Sequence, residues 1–350
     1  MSRYNSNENN LSEISPAIKQ GLAVQGPIKK GATLIFIIKY IIFFVFGIFY
    51  VIVGLLRPGF FSLGNWSDIL TEASIMSFAC FGEMIVIAAG GLDLSIGNIA
   101  GFAAMVTSVL LSNLGFGLWT SILVGVGIGG LLGLGNGIMV SRLYMNSLVA
   151  TLGTMFVLVG CLYGLTGGAS IHMLPDSFMY LGSGSFLKIP VPIWVMTVVF
   201  VLVYLFMERT AHGRYISMIG GNIEACRLSG IHIKNLTLLT FVLCGLLSTF
   251  SGILLAARQG LANVDLGERF VLEAFVSAML GTVIFNGKNV ITGTLCGAVF
   301  LVSVINGLTL LGAGPQWIYF AQGILLLVAI LANYLLKKSI FLIDISNRNQ

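Results

Sequence analysis

The chain has 350 residues, 57% of them hydrophobic and only 9% charged, against about 25% charged in an ordinary soluble domain. With a mean hydropathy of +0.99, so few charges cannot cover a water-soluble globule, and the same balance excludes disorder for most of the length. The net charge of +5 is the sign of basic residues gathered in cytoplasmic loops rather than of a nucleic-acid partner.

What remains is an all-α polytopic membrane protein built from stretches of about 20 apolar residues. Its 44 glycines are the small residues that let helices approach closely in lipid. Residues 1–30 are polar and read as a mobile cytoplasmic tail ending in Lys29-Lys30. The apolar run that follows is too long for a signal peptide and reads as a retained first helix. Apolar segments then fall at 34–56, 67–90, 94–112, 117–141, 147–167, 191–208, 235–257, 270–285, 290–311 and 316–336. The expectation is therefore about ten transmembrane helices in a single domain over 31–338, with a short cytoplasmic tail at 339–350.

Threading ten spans from a cytoplasmic amino terminus places thirteen Lys and Arg inside, among them Arg142, Arg209, Arg214, Arg227, Lys234 and Lys288. Four fall outside: Arg57, Lys188, Arg258 and Arg269. That bias orients the chain with both termini cytoplasmic. The five cysteines, Cys80, Cys161, Cys226, Cys244 and Cys296, contain no CxxC pair, and His172, His212 and His232 are dispersed. Neither a metal site nor a disulfide framework is indicated. The one Gly-Lys pair, Gly287-Lys288, is followed by Asn289, so no phosphate-cradling loop is present and no enzyme is expected on this chain.

Polar groups inside the spans are the candidates for function. Asp68, Glu72 and Glu83 lie within about a 60° arc of the second helix. Each acid costs about 2.5–3.5 kcal/mol at a span centre, so the three face protein or water. They are helix contacts, path-lining residues or a proton-coupling site. The turn Gly90-Gly91-Leu92-Asp93-Leu94-Ser95-Ile96-Gly97-Asn98 reads as a tight reversal in which Asp93 accepts from amides at the start of the third helix. That local role does not exclude ordering a pathway or a gate. Asn136, Asn146, Thr151, Thr154, Asn306 and Gln322 serve as interhelical hydrogen-bonding groups or line a path for a neutral polyol. In the basic loop 209–233, residues Gly220 to Gly230 read as a two-turn helix. Asn222 caps its start, Glu224 lies in the first turn, Arg227 in the last, and Gly230 ends it. A capped helix too short to span lies on the membrane surface or docks on a partner.

The string Gly-Arg-Tyr-Ile-Ser-Met-Ile-Gly-Gly-Asn-Ile-Glu-Ala-Cys-Arg-Leu-Ser-Gly-Ile (213–231) resembles the coupling loop of bacterial ABC importer permeases of the ribose/xylose/autoinducer-2 group. Gly-Gly-Leu-Asp-Leu-Ser-Ile-Gly (90–97), Val-Ala-Thr-Leu-Gly-Thr-Met (149–155), Leu-Thr-Gly-Gly (165–168) and the stretch 247–258 are similar to the same family in the same order, so the likeness runs from about residue 60 to 335. The resemblance implies a type II importer-like fold and a separate ATPase subunit that binds ATP and Mg, with no cofactor on this chain. It also implies a second permease copy or paralogue, a periplasmic or lipid-anchored binding protein, and residence in the bacterial inner membrane.

Carried onto this sequence, Gly221, Asn222, Glu224, Ala225, Arg227, Leu228, Ser229 and Gly230 would couple to the ATPase. Glu83, Asp93, Ser95, Asn98, Asn136, Asn146, Thr151, Glu273 and Asn306 are the candidates for the path or gate of a monosaccharide. A nucleoside or branched-chain amino acid is the alternative cargo, and an ion-coupled carrier the alternative class. The chain departs from the family pattern at Thr282 and Asn286, which replace glycines, and around Glu273, where an acidic pair is reduced to one.

Overall fold

The computed structural model describes residues 44, 46–285 and 290–348, with side chains as far as residue 335. The expectations for the tail 1–30, for Gly287-Lys288 and for the side chains of the 339–350 tail lie outside the described residues. The chain forms two compact units, residues 52–329 and the pair of segments 1–51 and 330–350. In the second unit the described part is helical.

In chain order the helices are α1 (Phe46–Leu56), α2 (Leu63–Ala88), α3 (Ile96–Ser112), α4 (Leu118–Ser141), α5 (Ser147–Thr166) and α6 (Asp176–Ser183). A two-stranded antiparallel hairpin, β1 (Ser185–Phe186) and β2 (Ile189–Pro190), leads into α7 (Val191–Tyr204), which continues as one π-helical turn over Leu205–Arg209. Then come α8 (Ala211–Gly221), α9 (Ile223–Leu228), α10 (Ile233–Gln259), α11 (Arg269–Ile284), α12 (Val290–Leu310) and α13 (Pro315–Arg348).

Each of the ten apolar segments coincides with a helix, the beginning of the first lying outside the described residues. Among the described residues, however, seven helices are long and apolar enough to cross a membrane. With 17 and 16 residues, α3 and α11 fall short, because a helix rises only about 1.5 Å per residue against a core of about 30 Å. The turn before each accounts for it. Residues 89–95 fold back into the bundle, burying Asp93 and Ser95, and residues 260–268 do the same, burying Ala262 and Leu266. Gly267, in the second turn, rests on Gly97 and Gly101 of α3. Irregular backbone at membrane depth is tolerated when protein surrounds it.

Within residues 52–329, α2 and α10 form the centre. Every residue of α2 from Ala73 to Val86 is buried. Ser251 of α10 ties the two together, donating from Oγ to the Ile75 carbonyl and accepting from the Ala79 amide, both at 2.8 Å. On the other side of α10 runs a seam with α4. A Cβ on Gly133 would lie 2.3 Å from the Phe241 carbonyl oxygen, so the helices meet backbone to backbone. Facing away from this centre, Leu123, Leu131, Phe156, Val157, Val198 and Leu327 are exposed, the apolar coat that a bilayer would cover.

The loop 168–190, longer than its neighbours in the sequence, holds α6 and the hairpin. We call that end of the bundle the hairpin end and the opposite one the α9 end.

Candidate functional site

Loop 209–233 is built as two helices rather than one. Thr210 starts α8, its hydroxyl accepting from the Gly213 amide at 3.2 Å. Gly221 closes α8 instead of opening the next helix. Asn222 then caps α9, its Oδ1 accepting from the Ala225 amide at 3.0 Å. Ser229 follows the last turn and Gly230 ends it at φ +72°. The α8 segment is hard to read in the sequence because its apolar face is short, only Ile216 and Ile219 one turn apart in a glycine-rich run.

One side of this loop is bound into the bundle. Ile216 and Ile219 of α8 and Cys226 of α9 are buried with Phe81, Met84 and Ile85 of α2 and with Leu236 and Leu247 of α10. Where α8 ends, no side chain intervenes. A Cβ on Gly220 would lie 2.3 Å from the Ala88 carbonyl oxygen at the end of α2. The other side of α9 is free. Glu224 and Arg227 form an exposed pair at 3.5 Å, and Leu228 is 88% exposed. An exposed ion pair contributes little to stability, and an exposed leucine contributes nothing, so this face is available for contact.

Five of the nine candidate path residues converge at the α9 end. Thr154 donates to Asn136 Oδ1 at 2.6 Å, and Asn136 Nδ2 donates to Ser95 Oγ at 2.8 Å. Ser95 Oγ donates to Asp93 Oδ1 at 2.6 Å, and the Asp93 amide donates to Glu83 Oε1 at 3.2 Å. Thr151 accepts from the Leu94 amide at 3.1 Å. Glu83, Asp93, Ser95, Asn136 and Thr151 are all fully buried. The turn 89–95 is thus stitched to α2, α4 and α5. Asp93 accepts from the Ser95 amide ahead of α3 at 2.9 Å, in line with a turn-ordering role. Asn146 caps α5 at the same end, accepting from Leu148 at 2.9 Å, while Asn98 lies half-buried on α3 outside this chain of bonds.

The remaining two lie at the hairpin end. Asn306 exchanges amide hydrogen bonds with Asn65, both at 3.0 Å. Glu273 lies 3.7 Å from Arg269 and accepts from Gln322 at 3.4 Å.

The acids of α2 divide between two sites. Glu72 pairs with Arg258 at 3.3 Å and with Arg269, and Asp68 lies 3.5 Å from Arg258. Glu83, eleven residues along the helix from Glu72, belongs to the buried network instead. Arg258 and Arg269, which the sequence shows only as outer charges, neutralise Asp68 and Glu72. The usable signal lies in the acids' i,i+4 spacing and in the arginines flanking one short connection.

Three cavities border these groups. One of about 820 Å³ opens at the α9 end between the α4–α5 turn, Gly90 and α9. Another, of about 680 Å³, lies between His212, Tyr215 and the start of α10. A third, of about 420 Å³, runs between α4 and α5, where Asn136 and Thr154 supply the polar side chains in an apolar lining.

A family model described as branched-chain amino acid transport system / permease component matches residues 65–330. The ribose import permease protein of Escherichia coli strain K12 is 32% identical over 81% of this chain and 89% of its own length. That of Bacillus subtilis strain 168 is 35% identical over 80% and 88%. The L-arabinose ABC transporter permease protein of Azospirillum brasilense is 32% identical over 82% and 85%. No solved structure matches the chain.

Proposed function

This chain belongs to the branched-chain amino acid transport system / permease component family, and from that premise we propose that it is the membrane subunit of an ATP-binding cassette importer for a pentose-like monosaccharide. Relatives named for ribose and L-arabinose support the choice of cargo. The observation that carries the reading is α9. This capped helix is anchored through Cys226 into the bundle core and presents Glu224, Arg227 and Leu228 outward.

In this reading the α9 end faces the cytoplasm of a bacterium. A separate ATPase subunit, holding ATP and Mg, seats on residues 222–230. The hairpin end receives solute from a binding protein, and a second permease copy or paralogue completes the path. Closure of the ATPase displaces α9. The Gly220–Ala88 contact passes the displacement to α2, and the network from Glu83 to Thr154 spreads it to the turn 89–95, α4 and α5. Such discrete rearrangements of packed elements are how a site at one end alters access at the other.

Reconstitution with the ATPase and binding protein tests the proposal through ATP-dependent uptake of ribose and arabinose. Glu224→Lys and Arg227→Glu should reduce recovery of the ATPase with this chain, while Gly220→Val should leave it bound and abolish uptake. Uptake of a nucleoside or a branched-chain amino acid instead would keep the class and change the cargo. Transport by the chain alone, driven by an ion gradient and indifferent to ATP, would overturn the reading.

A further inference from the structure

The cavity of about 820 Å³ at the α9 end has a one-sided electrostatic lining. Arg142, Arg227 and Lys234 contribute to it, and among the described residues no carboxylate does. Arg227 shares its charge with Glu224 at 3.5 Å, so Arg142 and Lys234 supply most of the field. Two helix starts reinforce them. Asn146 and Ser147 open α5, and His232 to Asn235 open α10; both sets line the cavity. No side chain caps the start of α10, and the positive end of a helix dipole favours an anion.

A further group points the same way. Ser141 is 5% exposed and lines the cavity. Its buried Oγ has no hydrogen-bond partner among the described residues, which a hydroxyl tolerates poorly unless a ligand supplies one.

Depth distinguishes among anions. Arg142 directly follows the last residue of α4, and Lys234 is the second residue of α10. Both helices are of spanning length, so these cations sit where a bilayer places its headgroups. The side chains are already positioned: Arg142 donates to Asn235 at 2.6 Å, and Lys234 lies 4.8 Å from the centre of the Tyr144 ring. Tyr144 lines the cavity and is exposed, and so are its chain neighbours Leu143 and Met145, which give the turn beside it an apolar rim. A soluble phosphate has no use for that apolar rim, whereas a glycerol backbone and acyl chains do.

We propose that this cavity binds the phosphate-bearing headgroup of an anionic phospholipid from the leaflet on the α9 side. Arg142 and Lys234 hold the phosphate, Ser141 donates to it, and Arg227 closes the site from α9. The bound lipid then ties the α4–α5 turn to the docking helix. This inference needs only that the chain resides in a bilayer, not that it is an importer.

The test uses the full chain in nanodiscs of phosphatidylcholine with or without phosphatidylglycerol, with lipid retained after detergent extraction counted by native mass spectrometry. The unaltered chain should retain one phosphatidylglycerol in preference to phosphatidylcholine. Arg142→Gln with Lys234→Gln should lower that retention about thirtyfold, the effect of removing two basic contacts to an anionic headgroup. Lys188→Gln, on the hairpin, should retain it.

Equal retention of phosphatidylcholine by the unaltered chain would overturn the proposal without reference to any variant. So would unchanged phosphatidylglycerol retention in the double variant. Complete displacement by inorganic phosphate, with thermal protection by phosphate alone, would overturn it in favour of a soluble-anion site. Loss of the lipid whenever the ATPase is added would overturn it in favour of a protein interface.

Discussion

At the hairpin end, Asp68, Glu72 and Glu273 meet the guanidinium groups of Arg258 and Arg269; at the α9 end, Glu83 and Asp93 meet amides and hydroxyls and, among the described residues, no cation. For Asp68 and Glu72 the difference follows from exposure, whereas Glu273 is itself buried and is held against Arg269. The side chains of Glu72, Arg258 and Arg269 are 24%, 27% and 36% exposed, whereas Glu83 and Asp93 are wholly buried. A partly wet site can hold full charges of both signs at small cost. A dry one relies on hydrogen bonds and loses heavily when one partner is deleted, although Glu83 Oε2 and Asp93 Oδ2 have no hydrogen-bond partner among the described residues. One end is an electrostatic clasp, which salt weakens; the other is a directional lattice, which salt does not reach.

Four measurements would break or sharpen that contrast. Asn136→Leu removes the link between Thr154 and Ser95, leaving Thr154 with the Ala150 carbonyl alone and Ser95 with Asp93 alone. It should cost about 1–3 kcal/mol, seen as a lowered melting temperature that is the same at low and high salt. Glu72→Ala leaves Arg258 with Asp68 alone and Arg269 with Glu273 alone, and should cost about 1 kcal/mol in this partly exposed site, shrinking as salt rises. If salt moved the first variant and not the second, the contrast would be wrong.

Asn222→Ala should cost about 1 kcal/mol. The loss should appear as faster amide exchange over 222–230, since α9 is local. Asp93→Asn should cost less than about 1 kcal/mol, because an amide carbonyl still accepts from Ser95. A larger loss than that of Glu72→Gln would show that the lattice depends on charge.

The helices are legible in the sequence because a run of about 20 apolar residues is stable only where lipid or protein surrounds it. The α9 signal is legible on different grounds: Asn222, Glu224, Arg227 and Gly230 are local choices that act within one or two turns. Contacts between residues far apart in the chain are not. The pairing of Glu72 with Arg258 and Arg269 depends on how α2, α10 and α11 meet, and no local pattern encodes it.

The inward folding of residues 89–95 and 260–268 is hidden for the opposite reason. These stretches are apolar enough to merge with their neighbours, and only their packing shows where helix gives way to turn. The abundance of glycine announces close approach in general, but not that Gly220 is the one to meet Ala88.

That last contact has a mechanical meaning. A joint padded by side chains has slack, since rotamers absorb small shifts before anything beyond them moves. Between Gly220 and the end of α2 there is nothing to compress but main chain. The linkage therefore has no backlash. A push of even a fraction of an ångström on the loop must reappear in α2, and no substitution at position 220 can soften the stroke without unseating the lever.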